Sequence, residues 1–375
     1  MRVEQDPERQ SRVAAALGLV ILFALAFRLH GEGTQARLRQ RFAPGKAAIE
    51  PFAVQMQRAA QRGRGRNALN PVQIPSRGWK DILVRVYHEA QDDRLLAVAA
   101  GVVFFSLLAV VPAITALVSS YGLMADLSTI AQHLSFAASV MPSAAFDIVQ
   151  DQVARIVSKG DAKLTLAFVT GLAVAMWSAN AGMKAVFDGL NVVYDEEEKR
   201  SFIRLNVISL AFTAGAILLL LAAIGVVVVF PLALAFFGLG TMKETAVQIV
   251  RWPAMFVVLV FALSLLYRYG PSRRSAQWRW LSVGSVFGAI AWVGASLLFS
   301  WYLANFANYD ATYGSLGAVI GLMMWMWLSV IAVLLGAELN AEIEHQTARD
   351  STTGAEKPLG MRGATMADTV GAAAD

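Results

Sequence analysis

The chain has no cysteine among its 375 residues, which removes disulfides and thiolate metal ligands. Charge is scarce as well. Asp, Glu, Lys and Arg make up 16% of the residues, against about 25% in an ordinary soluble domain. Histidine occurs only at His30, His88, His133 and His345. These lie far apart, and none belongs to an HExxH or a clustered His/Asp pattern. A P-loop and a GxSxG elbow are also missing. These absences weigh against catalysis, so no catalytic residue, metal or cofactor is expected.

What the chain holds instead is apolar sequence, at 57%, concentrated in uncharged blocks. A span needs roughly 20 apolar residues to cross a hydrocarbon core. Six blocks qualify: Leu95–Val118, Leu164–Met183, Leu205–Phe230, Trp252–Tyr267, Trp280–Leu303 and Tyr313–Ala337. A seventh, Val13–Phe27, is shorter and reads as an uncleaved anchor. The expected fold is all-α: a polytopic membrane protein with a six-helix transmembrane core plus one N-terminal anchor helix.

Charge sets the orientation. Residues 28–94 hold 13 Lys and Arg against six acids. Lys184, Lys199, Arg200 and Arg204 follow the second core block, and Arg268, Arg273, Arg274 and Arg279 the fourth. The intervening loops carry few basic residues, so the positive-inside rule puts both ends of the core in the cytoplasm. The net charge of +5 then points to anionic lipid headgroups as partners, with Arg268, Arg273, Arg274 and Arg279 as candidate headgroup ligands.

The chain divides into an anchor (1–29), a basic flexible linker (30–77), the membrane core (78–346) and a disordered cytoplasmic tail (347–375). Within the linker, "QRGRGRN" at 61–67 lacks interleaved aromatics to stack bases, so a tether or lipid-surface contact is favoured over nucleic acid. Trp79, Ile82, Val86 and Ala90 recur at helical spacing, as in an interfacial helix. Pro112 is expected to kink the first core span. Residues 119–163 read as one or two amphipathic helices on the outer face; for the last outer loop helix packing is the favoured role, with an entrance formed by Tyr309, Asp310 and Tyr313 as the alternative. The acids in "YDEEEKR" (194–200) read as a solvated cap on the third core span. Gly314, Gly317 and Gly321 give a face of small residues for helix packing, and a homo-oligomer is compatible with it.

Polar groups inside a membrane are functional-site candidates by default. Asn180, Lys184 and Asp188 fall at i, i+4 and i+8 on one helical face. Lys184 either snorkels and pairs with Asp188 or faces inward with Asn180. The last span closes "LLGAELNAEIEHQ", in which Glu342 and Glu344 mark the exit to the cytoplasm. Glu338 lies deepest, beside Asn340, with Lys184 or Arg273 as its partner.

Several stretches are recognisable: "AAGVVFFSLLAVVPAITALVSSYG", "MWSANAGMKAVFDGLNVVYDEEEKRSFIRLN", "YRYGPSRRSAQWRW", "YGSLGAVIGLMMWMW" and "LLGAELNAE". In this order they resemble the YihY/BrkB family of bacterial inner-membrane proteins, from Gly78 to Gln346. Val283 stands where that pattern has Pro, and Asp310 where it has Asn. The resemblance implies a six-span inner-membrane protein linked to envelope lipid handling and transport. It also carries a tRNA-processing ribonuclease label, which the absence of clustered metal ligands argues against. The leading expectation is therefore transport or lipid translocation through a pocket of Asn180, Lys184, Asp188, Glu338 and Asn340. A structural or partner-binding membrane protein is the alternative, and a membrane enzyme a distant third.

Overall fold

The computed structural model describes residues 51–124, 161–224, 241–305 and 317–374. The expected anchor, residues 125–160 of the expected outer amphipathic segment, Tyr309, Asp310, Tyr313 and Gly314 lie outside them. Among the described residues the chain is helical throughout, with a single antiparallel bridge, Ala276 to Thr352. The helices are α1 Phe52–Ala59, α2 Ser76–Asp92, α3 Leu95–Met124, α4 Asp161–Val193, α5 Phe202–Ile224, α6 Thr241–Tyr269, α7 Trp278–Asn305, α8 Gly317–His345 and α9 Thr365–Asp368. Helix α3 continues through Pro112.

The apolar side chains point outward. Four helical segments among the described residues are long and apolar enough to cross a membrane: Phe202–Leu219, Arg251–Tyr269, Trp278–Asn305 and Val319–His345. Only 11% to 28% of each window is buried. Leu297, Leu298, Trp301 and Phe261 are open to the surroundings. Contiguous apolar surface of that size is unstable against water and stable against lipid.

The buried core is concentrated at one end of the bundle, where α2 and the segment after α8 lie. There Leu95, Ala99, Leu190, Tyr194, Leu263, Tyr267, Leu281, Leu334 and Ala337 form one cluster, joined by Met366 from α9. A smaller cluster joins Ile74 and Ile82 to Trp280, Leu339 and Ile343. Helix α8 is the hub, touching α2, α3, α4, α7 and α9.

Its close approach to α7 rests on glycine. A Cβ on Gly284 would run into the Gly336 carbonyl and the Asn340 amide, and one on Gly336 would lie 2.7 Å from the Gly284 carbonyl. Of the expected packing stripe, Gly314 lies outside the described residues, Gly317 is buried, and a Cβ at Gly321 would meet nothing within 4 Å.

Both flanks of the core are built into this end. In the segment expected as a linker, Arg64 pairs with Asp81 at 2.7 Å, and Arg66 donates to the carbonyls of Gln346 and Gly371. The segment expected to be a disordered tail is instead a strap across the bundle end. Thr347 donates to Ala68 O at 2.8 Å, Gln277 N–H to Ser351 O at 2.9 Å, and Thr353 N–H to Ser275 O at 3.0 Å. The Arg362 guanidinium gathers the carbonyls of Ala348, Arg349 and Ala367. Few large apolar residues are needed, because the strap is held mainly through its own backbone.

Candidate functional site

The last turns of α8 and the residue that follows it present five polar side chains at alternate positions: Glu338, Asn340, Glu342, Glu344 and Gln346. All are buried, so the expectation that Glu342 and Glu344 mark an exit into solvent is corrected. The reason is a set of arginines from distant segments. Glu344 takes a two-pronged bond from Arg273, at 2.6 and 3.1 Å, with both side chains wholly buried. Arg273 also lies 4.2 Å over the Tyr194 ring, and Ser351 donates to Glu344 at 2.9 Å. Neighbouring carboxylates, Glu344 foremost, raise the Arg273 guanidinium further above its already high range despite its burial. Glu342 pairs with Arg85 of α2. Gln346 accepts from Arg85 at 2.8 Å and donates to Arg64 O at 2.7 Å.

Asn340 serves helix packing. Its Oδ1 accepts from Gly284 N–H at 2.8 Å and its Nδ2 donates to Leu281 O at 3.1 Å. Beside it, Tyr267 donates its hydroxyl to Val333 O at 2.7 Å.

Glu338 differs from all of these. It is wholly buried, and neither carboxyl oxygen has a hydrogen-bond partner. Its sequence-level partners are taken: Arg273 holds Glu344, while Lys184 donates to Asn206 of α5 at 2.6 Å. The ionisable side chains that act on it most strongly are themselves carboxyls, led by Asp93 and followed by Glu342, Glu89 and Asp195. Asp93 caps the C-terminus of α2, and burial, then Asp195 and Glu89, push its carboxyl up to about 8. The Tyr194 hydroxyl is buried without a partner too, and burial pushes its phenol up.

The predicted pocket residues thus form two groups. Asn180 and Lys184 converge on Asn206, at 3.4 and 2.6 Å, with Lys184 also 5.8 Å from the Phe202 ring. Asp188 is exposed, and the Lys184 ammonium donates to Asn206 and not to it. Glu338 and Asn340 belong to the other group, on α8. Asn206 went unrecognised; its position one turn into an apolar helix was the available signal.

The predicted headgroup arginines separate as well. Arg273 is committed to Glu344. Arg268 donates to Ala276 O at 2.9 Å and stacks 4.5 Å from the Trp278 ring. Arg279 remains exposed and Arg274 half-buried. The connector read as a solvated cap is pinned: Glu196 pairs with Lys199 and accepts from Thr365 N–H at 2.7 Å, and Glu198 holds Arg200. Among the described residues, no three His, Asp or Glu side chains are grouped so that they could hold a metal ion.

The sequence profile described as virulence factor BrkB matches residues 86–359. The ribonuclease-like protein YfkH of Bacillus subtilis is 39% identical over 175 residues, covering 46% of this chain and 63% of that protein. A UPF0761 membrane protein of Pseudoalteromonas atlantica is 26% identical over 292 residues, covering 74% of this chain and 93% of its own. One from Alkalilimnicola ehrlichii is 26% identical over 276 residues, covering 73% and 61%. No solved structure matches the chain.

Proposed function

The chain belongs to the virulence factor BrkB family, and we propose that it is a multi-pass inner-membrane protein that transports a solute or translocates lipid without bond chemistry. In this reading α3 to α8 are six spans, and the alternation of basic loops supports a cytoplasmic position for the strapped end. Arg274 and Arg279 lie beside that end and meet anionic headgroups.

The observation that supports the reading best is Glu338. An ionised carboxylate buried without a partner costs several kcal/mol, so the position favours a proton or a transient cationic partner. Its neighbours on α8 are satisfied within the chain, and this one is left open. A carrier requires a group of that kind, one whose partner comes and goes.

The cysteine-free chain allows a direct test. Glu338→Cys, labelled by a membrane-impermeant thiol reagent, is expected to react from alternate sides as conditions or added lipid change. Permanent protection, or access from the cytoplasm alone, would sink the transport site. The second reading, a structural or partner-binding membrane protein, draws on the Arg273–Glu344 and Arg85–Glu342 pairs, which tie α8 to distant segments. It predicts a Glu338 position that never reaches water from either side.

A further inference from the structure

Three consecutive carbonyls of the C-terminal strap are each held by a different arginine. Arg58 donates to Val370 O at 3.0 Å, Arg66 to Gly371 O at 2.7 Å, and Arg85 to Ala372 O at 2.8 Å. The register is fixed from the other side of the same backbone. Val370 N–H donates to Gln55 Oε1 at 2.6 Å, Gly371 N–H to His345 O at 2.8 Å, and Ala374 N–H to Asp81 at 2.9 Å. The middle position is tight: a Cβ on Gly371 would lie 2.6 Å from the Arg85 guanidinium carbon, and that guanidinium is itself held by Glu342 and Gln346.

These carbonyls are neutral acceptors on groups suited to anions. Guanidinium bonds to phosphate or carboxylate are roughly twice as strong as neutral ones and commonly two-pronged. Arg85 already has Glu342. Arg66 has no carboxylate at ion-pair distance among the described residues: its acceptors are Gln61 Oε1, Gln346 O and Gly371 O, and its Nε is buried without a partner. Burial, then Arg85, pulls its guanidinium down to about 10, with Arg64 and Arg58 adding to the effect and Asp81 opposing it. A buried cation with a spare donor and like-charged neighbours is under-neutralised.

An approach route exists. Arg66 lines an open cleft of about 610 Å³ together with Arg62, Gly63, Gly65 and Gln73. Arg62 is exposed at its rim. The cleft is formed by the "QRGRGRN" turn, where Gly63 and Gly65 adopt left-handed φ of 74° and 84°.

We propose that the Arg66 cleft is a binding site for a phosphate group, whether of an anionic phospholipid headgroup or of free phosphate, and that the strap carbonyls of Val370, Gly371 and Ala372 are what the phosphate displaces. The strap is then a removable occupant of an anion site. The inference stands apart from the transport reading, because strap release is observed without any transport.

The full chain carrying Ala372→Cys, whose native side chain is exposed, takes a nitroxide label there. Gly371→Ala supplies the spectrum of a released strap. Sodium phosphate and phosphatidylglycerol vesicles are the probes, with phosphatidylcholine vesicles and sodium chloride at matched ionic strength as controls. A severalfold rise in the mobile component with phosphate supports the free anion as ligand, and a rise with phosphatidylglycerol alone supports the headgroup. Arg66→Gln should blunt either response; if it fails to fold, Arg62→Gln at the rim should weaken it. A label that stays immobile with both probes overturns the proposal, as does equal release by chloride. Release by single-stranded RNA but by neither probe also overturns it and reassigns the cleft to nucleic acid.

Discussion

Glu338→Met separates an open site from a helix lock by the sign of a stability change. The carboxyl is wholly buried with both oxygens unpartnered, and methionine has nearly the same length and volume without the polar atoms. An unsatisfied buried polar group costs about 1–3 kcal/mol, so its removal should stabilise the protein by about that amount. Glu344→Met provides the opposite sign. It strips the partner from Arg273, whose side chain is also wholly buried, and breaking such a pair from one side costs about 3–5 kcal/mol. The assay is the apparent melting temperature in detergent, followed by the fluorescence of the nine tryptophans. Glu338→Met is expected to melt a few degrees above the parent and Glu344→Met well below it. The isosteric Glu338→Gln should sit close to the parent, because it keeps the buried polar atoms. If Glu338→Met melts as low as Glu344→Met, Glu338 has a native partner, and the argument for an open site collapses.

The Arg273–Glu344 pair should show strong coupling in a double-mutant cycle: either single apolar replacement destabilises by about 3–5 kcal/mol, whereas the joint replacement comes close to neutral. Additive losses in melting would contradict that. Asp93 titrates at about 8 in the fold against an ordinary 3.8, so between those values the folded state keeps a proton that the unfolded chain has lost. Stability therefore falls as pH rises through that window, and Asp93→Asn should flatten the melting profile from pH 5 to 8; an unchanged slope would show that Asp93 is not its source. Gly284→Ala forces a methyl into the Gly336 carbonyl and should cost about 1–3 kcal/mol, while Gly321→Ala, with open space around it, should melt like the parent.

The parts of the molecule that could be read from sequence are those whose cause is local. Within the described residues, each expected core block falls on a helix, because an unbroken apolar run favours helix and lipid together. The amphipathic spacing of Trp79, Ile82, Val86 and Ala90 likewise gave α2. What escaped is held by partners remote in the chain. Arg85 and Glu342 are 257 residues apart, and Arg66 reaches Gly371 across 305. No local window contains such a pair, so α8 read outward from Glu338 looked like a helix entering solvent. The strap escaped for a related reason: its sequence has little apolar bulk, and the donors that order it are arginines from the opposite end of the unit. Small and basic residues near a chain end ordinarily signal disorder. Here the arginines carry charge into a bundle whose apolar surface faces outward, and backbone carbonyls are the acceptors that meet them. Glu338 was identifiable as the deepest acid from its place after Gly336 and Ala337. That it lacks a partner while Glu342 and Glu344 have theirs depended on where the arginines went, which is a property of the fold and of no single segment.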